Sequence, residues 1–283
     1  MAISIAANII PVERRGEGMA YYLSLGGALG AATGPFLGMF IIQHGSYNII
    51  FMVCTIFAVL SLVIAFILSI PEVKLTAEQL NETKELKFSR LFAIKAIPIS
   101  IVGTVIYFCY SSVVTFLSAY SREINLIEIA SFFFVFSSIA ILISRPFVGR
   151  LFDSKGENIV MYPAILIFMI GLIILSQIHH GVTLMLSGVL IGIGLGNINS
   201  SGNTIAIKVV PPHQTGLAVS TFLTSMDMGL GIGPFILGLF VPLAGYRGVY
   251  LGAAIVTLAC VLLYYLIHGK EAGHGKMRNS QKA

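Results

Sequence analysis

The chain alternates between long apolar segments and short polar ones. No Lys, Arg, Asp or Glu occurs in the 54 residues between Glu17 and Glu72, or in the 50 residues between Glu157 and Lys208. A helix of about 20 apolar residues crosses a bilayer, so each uncharged segment is long enough for two spans and a short turn. The apolar runs are continuous and lack the period of two expected of a membrane barrel, which favours helices.

This pattern predicts an all-α, multi-pass membrane protein. It predicts a partial helix at 1–10 and eight full transmembrane helices, at about 18–42, 47–70, 95–119, 126–146, 159–178, 183–207, 215–241 and 247–267. The polar segment 71–94 is interpreted as a cytoplasmic linker, with an amphipathic surface helix at 76–92 as the alternative. The tail, 268–283, is expected to be cytoplasmic.

The positive charges fall on one side of the membrane if the predicted helices alternate in direction. Of the 17 Lys and Arg residues, 15 lie in the loops and tail of that side, and only Arg122 and Arg247 lie on the other. Positively charged loops mark the cytoplasmic side, so the C-terminus of this cell-membrane protein is expected in the cytoplasm. The net charge of +5 therefore needs no nucleic acid to explain it.

The composition argues against a soluble enzyme. Apolar residues make up 57% of the chain and charged residues 10%, against about 25% charged residues in soluble domains. The three cysteines lie in apolar runs without CxxC spacing, which favours neither a disulfide nor a metal site. Gly192 to Gly196 (GIGLG) lies inside an uncharged span with no strand before it, so it is not a phosphate loop. No enzyme, cofactor or metal is predicted.

Part of the sequence is repeated. Gly34 to Gly38 (GPFLG) recurs 199 residues later as Gly233 to Gly238 (GPFILG), with one insertion and similar flanking residues. Transporters built from two similar halves show such parallel repeats, and this offset implies six spans per half. The segment 95–267 is then a complete second half, 1–70 is the rear part of the first, and about three and a half spans are expected before it.

Three motifs carry a resemblance to a known family. They are Gly30-xxx-Gly34-Pro35-xx-Gly38, the segment 149–156 (GRLFDSKG) and the segment 11–18 (PVERRGEG). Together they resemble the antiporter signature, the cytoplasmic G-x-L-x-D-x-x-G loop and the loop entering the fifth helix of the major facilitator superfamily, in its bacterial drug-efflux and proton-antiporter branch. Tyr21, Met39, Ser154, Glu157 and Asn158 depart from the usual motif residues.

The resemblance implies a major-facilitator-type helical bundle that works by alternating access in the lipid bilayer. It implies efflux of a small molecule or drug, as in multidrug resistance, by antiport with protons as the coupling ion, and a monomer. A uniporter or an importer is the alternative within this class. From a different class, the chain is a non-transporting remnant, truncated at its N-terminus, or an interaction partner of a transporter.

Two groups of residues are candidates for conformational change. The first group consists of helix residues at a spacing of four whose small size allows helices to pack closely, with a proline that bends the helix: Gly30, Gly34, Pro35 and Gly38, and in the other half Gly229, Gly233, Pro234 and Gly238. The second group is the cytoplasmic loop with Gly149, Arg150, Asp153 and Gly156. This loop is interpreted either as a gate held by an ion pair in one conformation or as a plain turn.

The remaining candidates are polar residues inside the spans. Asp227 is the one acid deep within a span, and it is predicted either to take part in proton or cation recognition or to hold two helices together. Two further clusters are predicted either to line a wet path or to bridge helices. They are Asn199 with Asn203, and Tyr107 and Tyr110 with Ser111.

Overall fold

The computed structural model describes residues 30, 33–34, 36–43, 45–67, 92–211 and 214–270, without the side chain of Asp153. These residues form two compact units, one containing the described residues up to Ile67 and the other containing those from Phe92 onward. The predicted partial helix at 1–10 lies outside the described residues. So does most of the predicted helix at 18–42, of the linker 71–94 and of the tail 268–283.

The first unit contains helix α1, Tyr47–Ile67, preceded by helical residues at 36–43. Every face of α1 is apolar and none of its residues is buried; the side chain of Phe66, for example, is 83% exposed. A helix that is apolar all round belongs in an apolar environment. This confirms the predicted helix at 47–70 as an element, and lipid is the medium that its composition fits.

The second unit begins with a short 3-10 turn, Ile94–Ala96. Its long helices are α2 (Ile97–Glu123), α3 (Ile127–Lys155), α4 (Asn158–Ser176), α5 (Gly181–Lys208), α6 (Thr215–Gly238) and α7 (Val241–Tyr264). The chain continues from α7 as a π-helical turn, Tyr265–Gly269. These six helices correspond one for one to the six predicted between 95 and 267.

Two helix ends differ from the prediction. The helix predicted to end at 146 continues through Pro146 to Lys155, and it stops only at Gly156, which has a positive φ of 90°. Hydropathy locates the end of the apolar run, whereas the helix ends where a residue adopts a left-handed conformation. Helix α7 begins at Val241, whereas its predicted start is at 247. Inside it, Gly245 has a φ of 66° and separates a short first turn from the main helix.

Six helical segments in the described ranges are long and apolar enough to cross a membrane. They are Tyr47–Ile67, Ile94–Glu123, Ile127–Phe152, Asn158–Ser176, Gly181–Lys208 and Val241–Gly269. Helix α6 is not among them, although its 24 residues would extend about 36 Å, because Asp227 and several Gly, Ser and Thr residues lower its hydropathy. The described residues therefore do not confirm the predicted total of eight full helices and a partial one.

Close packing in the second unit depends on glycines. Helix α2 packs mainly on α6, α5 packs on α3 and α4, and α7 packs on α4 and α2. A Cβ added at Gly192 would run into the carbonyl oxygen of Ser137 on α3, and one at Gly194 would lie 2.6 Å from Cβ of Phe168 on α4. The GIGLG segment is thus a helix-packing surface, which agrees with its exclusion as a phosphate loop.

The ring of Phe222 on α6 packs against two further glycines, one on α2 and one on α5. A Cβ at Gly103 of α2 would lie 3.0 Å from its ring carbon Cε2, and a Cβ at Gly202 of α5 would lie 2.5 Å from Cζ. The phenyl ring is 1% exposed. It therefore joins α2, α5 and α6 at one level of the bundle.

Candidate functional site

A polar cluster lies where α2, α5 and α6 come together. The side-chain amide of Asn199 on α5 donates a hydrogen bond from Nδ2 to the hydroxyl oxygen of Tyr107 on α2, at 2.9 Å. The ring of Tyr107 meets that of Tyr110 edge to face, with centroids 5.9 Å apart and planes at 68°. The structure thus brings together three residues from two candidate clusters that the sequence treated separately.

Asp227 joins the same region from α6. Its carboxylate is close enough to Tyr107 to act on that hydroxyl electrostatically. The Asp227 side chain is exposed in the described structure, and no hydrogen bond from another described residue fixes it. Its place near the middle of α6 adds an acidic side chain to the hydroxyl and amide groups of α2 and α5.

Asn203 lies one helical turn beyond Asn199 on α5. Its oxygen Oδ1 is buried and has no hydrogen-bond partner among the described residues. A buried carbonyl-type oxygen without a partner costs about 1–3 kcal/mol. This unused acceptor is available to a ligand or to water, as a lining residue requires.

Ser111 does not belong to this cluster. It is fully buried, and its hydroxyl donates to the backbone oxygen of Phe108 in its own helix at 2.6 Å. Its side chain packs against Gly233 of α6. This contact with α6 fits the alternative that Ser111 helps to hold helices together, and its place on a wet path stays a prediction.

The second copy of the glycine motif forms the contact between α2 and α6. A Cβ added at Gly229 would collide with the carbonyl oxygen of Thr104 and lie 3.0 Å from the backbone nitrogen of Phe108. A Cβ at Gly233 would collide with Oγ of Ser111. Both results match the close approach predicted from the spacing of four, and Pro234 follows inside α6.

A hydrogen bond from a side chain to the backbone also stabilises the contact between α2 and α6. The hydroxyl of Thr104 donates to the carbonyl oxygen of Ser225 at 2.9 Å, and it also lies 3.0 Å from the oxygen of Ser100. Gly238 marks the end of the contact, since a Cβ there would reach only ordinary contact, 3.8 Å from Phe116. The glycines and Thr104 together hold α2 and α6 with their backbones in contact.

The first copy of the motif is only partly described. Among the described residues, nothing lies within 4 Å of a Cβ built on Gly30, Gly34 or Gly38. Pro35 lies outside the described residues. The predicted close packing of this copy stays a prediction.

The motif at 149–156, which was predicted to be a cytoplasmic loop, is mainly helical. Gly149 and Arg150 lie on exposed turns of α3, and nothing lies within 4 Å of a Cβ built on Gly149. The expectation that Gly149 forms a tight turn is therefore wrong, whereas Gly156 does make one with its positive φ. The side chain of Asp153 lies outside the described residues, so its predicted ion pair stays a prediction.

The residues after this motif form a network that the sequence analysis missed. The Glu157 oxygen Oε1 lies 2.7 Å from Nε2 of His268, and Oε2 lies 3.9 Å from Nζ of Lys208. Asn158 donates to the carbonyl oxygen of Gly269 at 2.8 Å and accepts from the hydroxyl of Tyr264, also at 2.8 Å. The signal was present, since Glu157 and Asn158 are the positions that depart from the usual motif.

Charge and hydrogen bonding act together on Glu157. The hydrogen bond to His268 lowers the pKa of this carboxyl, partial burial opposes that shift, and the positive charge of Lys208 adds to it. The Lys208 ammonium group also lies 4.3 Å from the ring centroid of Phe152 at the end of α3. Three helix ends, those of α3, α5 and α7, thus meet at the start of α4.

Comparison with known proteins agrees with this architecture. The model of the Major Facilitator Superfamily matches residues 1–182 and 127–282. An MFS-type transporter of Methanocaldococcus jannaschii, itself named as uncharacterized, is 25% identical over 277 residues, or 94% of this chain and 70% of that protein.

Two further relatives carry the name multidrug resistance protein MdtG. The one from Klebsiella pneumoniae is 25% identical over 264 residues, or 91% of this chain and 64% of the relative. The one from Proteus mirabilis is 30% identical over 130 residues, or 46% of this chain and 31% of the relative. The chain thus spans roughly two thirds of one MdtG protein and a third of the other.

Proposed function

Because this chain belongs to the Major Facilitator Superfamily, we propose that it moves a small molecule across the membrane by alternating access, with export driven by proton entry. Members of this family are transporters in lipid membranes rather than enzymes. The several apolar helices of α1 to α7 fit a multi-pass membrane protein of this kind. The proposal also includes the direction of transport, which is export, and the coupling ion, which is the proton.

The observation that carries the proposal is the hydrogen bond between Asn199 and Tyr107 beside the carboxylate of Asp227. Polar groups on three neighbouring apolar helices are expensive unless they meet water, ions or substrate. The tyrosine rings supply apolar contact area with a polar edge, and the amides supply both donors and acceptors. Such a mixed surface suits a small organic molecule.

Asp227 is the proposed proton-linked group. A carboxyl group can take up and release a proton while it keeps its place in the helix. Its change of charge would alter the affinity of the neighbouring polar cluster for a charged or polar substrate. In this proposal Asp227 binds the proton that is exchanged for substrate. The substrate itself contacts Tyr107, Tyr110, Asn199 and Asn203.

The glycine contact between α2 and α6 supports a conformational role. With backbones touching at Gly229 and Gly233, these helices can tilt together as one layer without losing their packing. An alternating-access transporter needs stiff groups of helices that move as units. We assign this role to the glycine motif, and a gating role in the cytoplasmic half to Gly149, Arg150, Asp153 and Gly156.

The substrate class is suggested by the relatives. Two of them are named multidrug resistance proteins, so we propose organic drugs or dyes as substrates of this chain.

Transport of a fluorescent dye into everted membrane vesicles tests the proposal. The cytoplasmic face of these vesicles points outward, so an exporter carries the dye inward. Vesicles containing the chain should take up the dye when a proton gradient is imposed, and an uncoupler should abolish the uptake. Vesicles from cells carrying an empty vector are the control. Uptake that persists with the uncoupler would contradict proton coupling, and uptake equal to that of the control would contradict transport.

A further inference from the structure

Arg145 is a cation toward the end of Ile127–Phe152, the segment of α3 that is long and apolar enough to cross a membrane. Its side chain is half-buried, and its Nε is buried with no hydrogen-bond partner among the described residues. A guanidinium group stays protonated at physiological pH and carries five N–H donors. A permanent charge with an unused donor in such a segment is stabilised by water, by backbone carbonyls or by an anionic partner.

The described carboxylates do not supply that partner. Glu157 is engaged by His268 and Lys208. Glu128 lies 17 residues before Arg145 on α3, which places it about 25 Å away along the helix. Asp227 acts on Tyr107, and no charge interaction links it to Arg145.

The register of α3 against α5 shows what Arg145 faces. Three α5 glycines meet α3 residues spaced by four, namely Gly188 with Phe133, Gly192 with Ser137, and Gly196 with Ile141. One further step of four along each helix reaches Arg145 on α3 and Ser200 on α5. Arg145 therefore continues the side of α3 that packs on α5, at the level of the polar turn of α5.

This part of α5 carries two buried amide oxygens without a partner among the described residues, Oδ1 of Asn197 and Oδ1 of Asn203. The Asn203 oxygen Oδ1 is buried without a partner, and the adjacent amide, Asn199, is already bonded to Tyr107. Immediately before Arg145, Ser144 accepts a long hydrogen bond from Asn197 at 3.5 Å. Two polar groups with spare hydrogen-bonding capacity thus lie on facing helices.

We propose that Arg145 and the amide of Asn203 form a subsite for an oxyanion, a carboxylate or phosphate-type group, carried by the transported molecule. This inference rests on the proposed function, and it adds that the transported molecule carries a negative charge. The planar guanidinium fork matches two oxygens of such a group, the amide N–H of Asn203 donates to another oxygen, and its Oδ1 accepts from a hydroxyl or protonated oxygen of the ligand. The phosphate of a lipid headgroup has the same chemistry, and the experiment separates the two sources.

Binding to the purified full chain in phosphatidylcholine nanodiscs tests the subsite. The probe is phenylphosphonate, and benzylamine serves as a cationic molecule of similar size. Unfolding is followed with a thiol-reactive dye, because Cys109 and Cys260 are buried in the folded chain, whereas the exposed Cys54 reacts before unfolding and sets the baseline. Phenylphosphonate should raise the melting temperature by several degrees, and benzylamine should not.

Substitutions then locate the effect. Arg145→Gln should abolish the response to phenylphosphonate, and Arg145→Lys, which keeps the charge but loses the fork, should weaken binding at least threefold. Arg122→Gln removes an exposed arginine near the end of α2 and should leave the response intact. An unchanged response in both Arg145 variants would overturn the proposal, and Arg145→Lys decides the matter if Arg145→Gln does not fold.

The lipid source is tested with phosphatidylglycerol nanodiscs. If this lipid stabilises the chain through Arg145 and phenylphosphonate adds nothing, the oxyanion is a headgroup and the assignment to a transported molecule is overturned. Binding needs no gradient, so the two proposals can fail separately. Arg145-dependent binding without dye export would contradict the proposed function alone, and dye export without such binding would contradict the subsite alone.

Discussion

The Glu157 carboxylate lies 2.7 Å from Nε2 of His268, and this contact fastens the turn before α4 to the end of α7. Asn158 strengthens the same junction through the carbonyl oxygen of Gly269 and the hydroxyl of Tyr264. The turn follows a motif in which basic residues are usual. Acidic and amide residues at these positions let the turn bind the last helix of the chain.

Glu157→Gln should lower the stability of the detergent-solubilised chain at neutral pH. A hydrogen bond to a charged group contributes about 1.5–3 kcal/mol, so a loss of about 1–2 kcal/mol is expected for this partly exposed pair. Because the pKa of Glu157 is lowered in the folded chain, its contribution is present above the unfolded value of about 4.3 and disappears as the pH falls through the folded value. Melting temperatures of both proteins between pH 3.5 and about 7 measure this difference.

His268→Gln is the matched variant for the partner. It should remove a similar stabilisation at neutral pH, and the double variant should lose less than the sum of the two, because both changes break one contact. Additive losses, or a Glu157→Gln effect that persists at the acid end of the series, would contradict the assignment.

Gly233→Ala should separate α2 from α6. Its new Cβ would collide with Oγ of Ser111 and lie 2.9 Å from the backbone oxygen of Phe108, so a destabilisation of about 1–3 kcal/mol is expected, with loss of dye export. Gly231→Ala is the control, since nothing lies within 4 Å of its Cβ. If the two variants melt at the same temperature, the contact does not hold these helices together.

Tyr107→Phe should change substrate affinity while leaving the protein folded. It removes the oxygen that accepts the Asn199 hydrogen bond, which is worth about 0.5–1.5 kcal/mol, and frees the amide to turn elsewhere. We expect a KM for dye export that rises about three- to tenfold, measured in everted vesicles at equal protein content. Tyr120→Phe is the comparison, since its buried hydroxyl lies near Arg247 at the far end of α2, and it should leave this KM unchanged.

Asp227→Asn should abolish transport driven by a pH gradient without reducing membrane insertion. The amide keeps the shape and hydrogen bonding of the side chain but cannot exchange a proton. Dye uptake by vesicles at several imposed gradients, with immunoblots for insertion, measures both quantities. Uptake that still follows the gradient in this variant would remove Asp227 from the coupling mechanism.

The helices of the second unit could be predicted because lipid imposes a simple rule. A segment such as Gly181–Lys208 must satisfy its backbone internally, so apolar length alone locates it. Helix ends followed a different rule. Beyond Pro146, α3 leaves the apolar run and continues as a charged helix, and its end depends on the conformation of Gly156, which hydropathy does not reveal.

The candidate site was predicted only as separate helix faces. Spacing placed Asn199 with Asn203, and Tyr107 with Tyr110, but the hydrogen bond between α5 and α2 depends on how these helices are rotated in the bundle. Spacing likewise left open whether Ser111 lines a path or contacts a helix, and the structure places it against Gly233 of α6. Arg145 was predicted at the very end of the helix at 126–146, whereas in the structure this helix continues to Lys155.

Phe222 restricts how this bundle can evolve. Its ring occupies the space that side chains at Gly103 and Gly202 would need, so a lineage that acquires a methyl group at either glycine must give up volume at position 222. Related sequences should therefore show these three positions changing in concert, with a smaller residue at 222 wherever a glycine has been replaced.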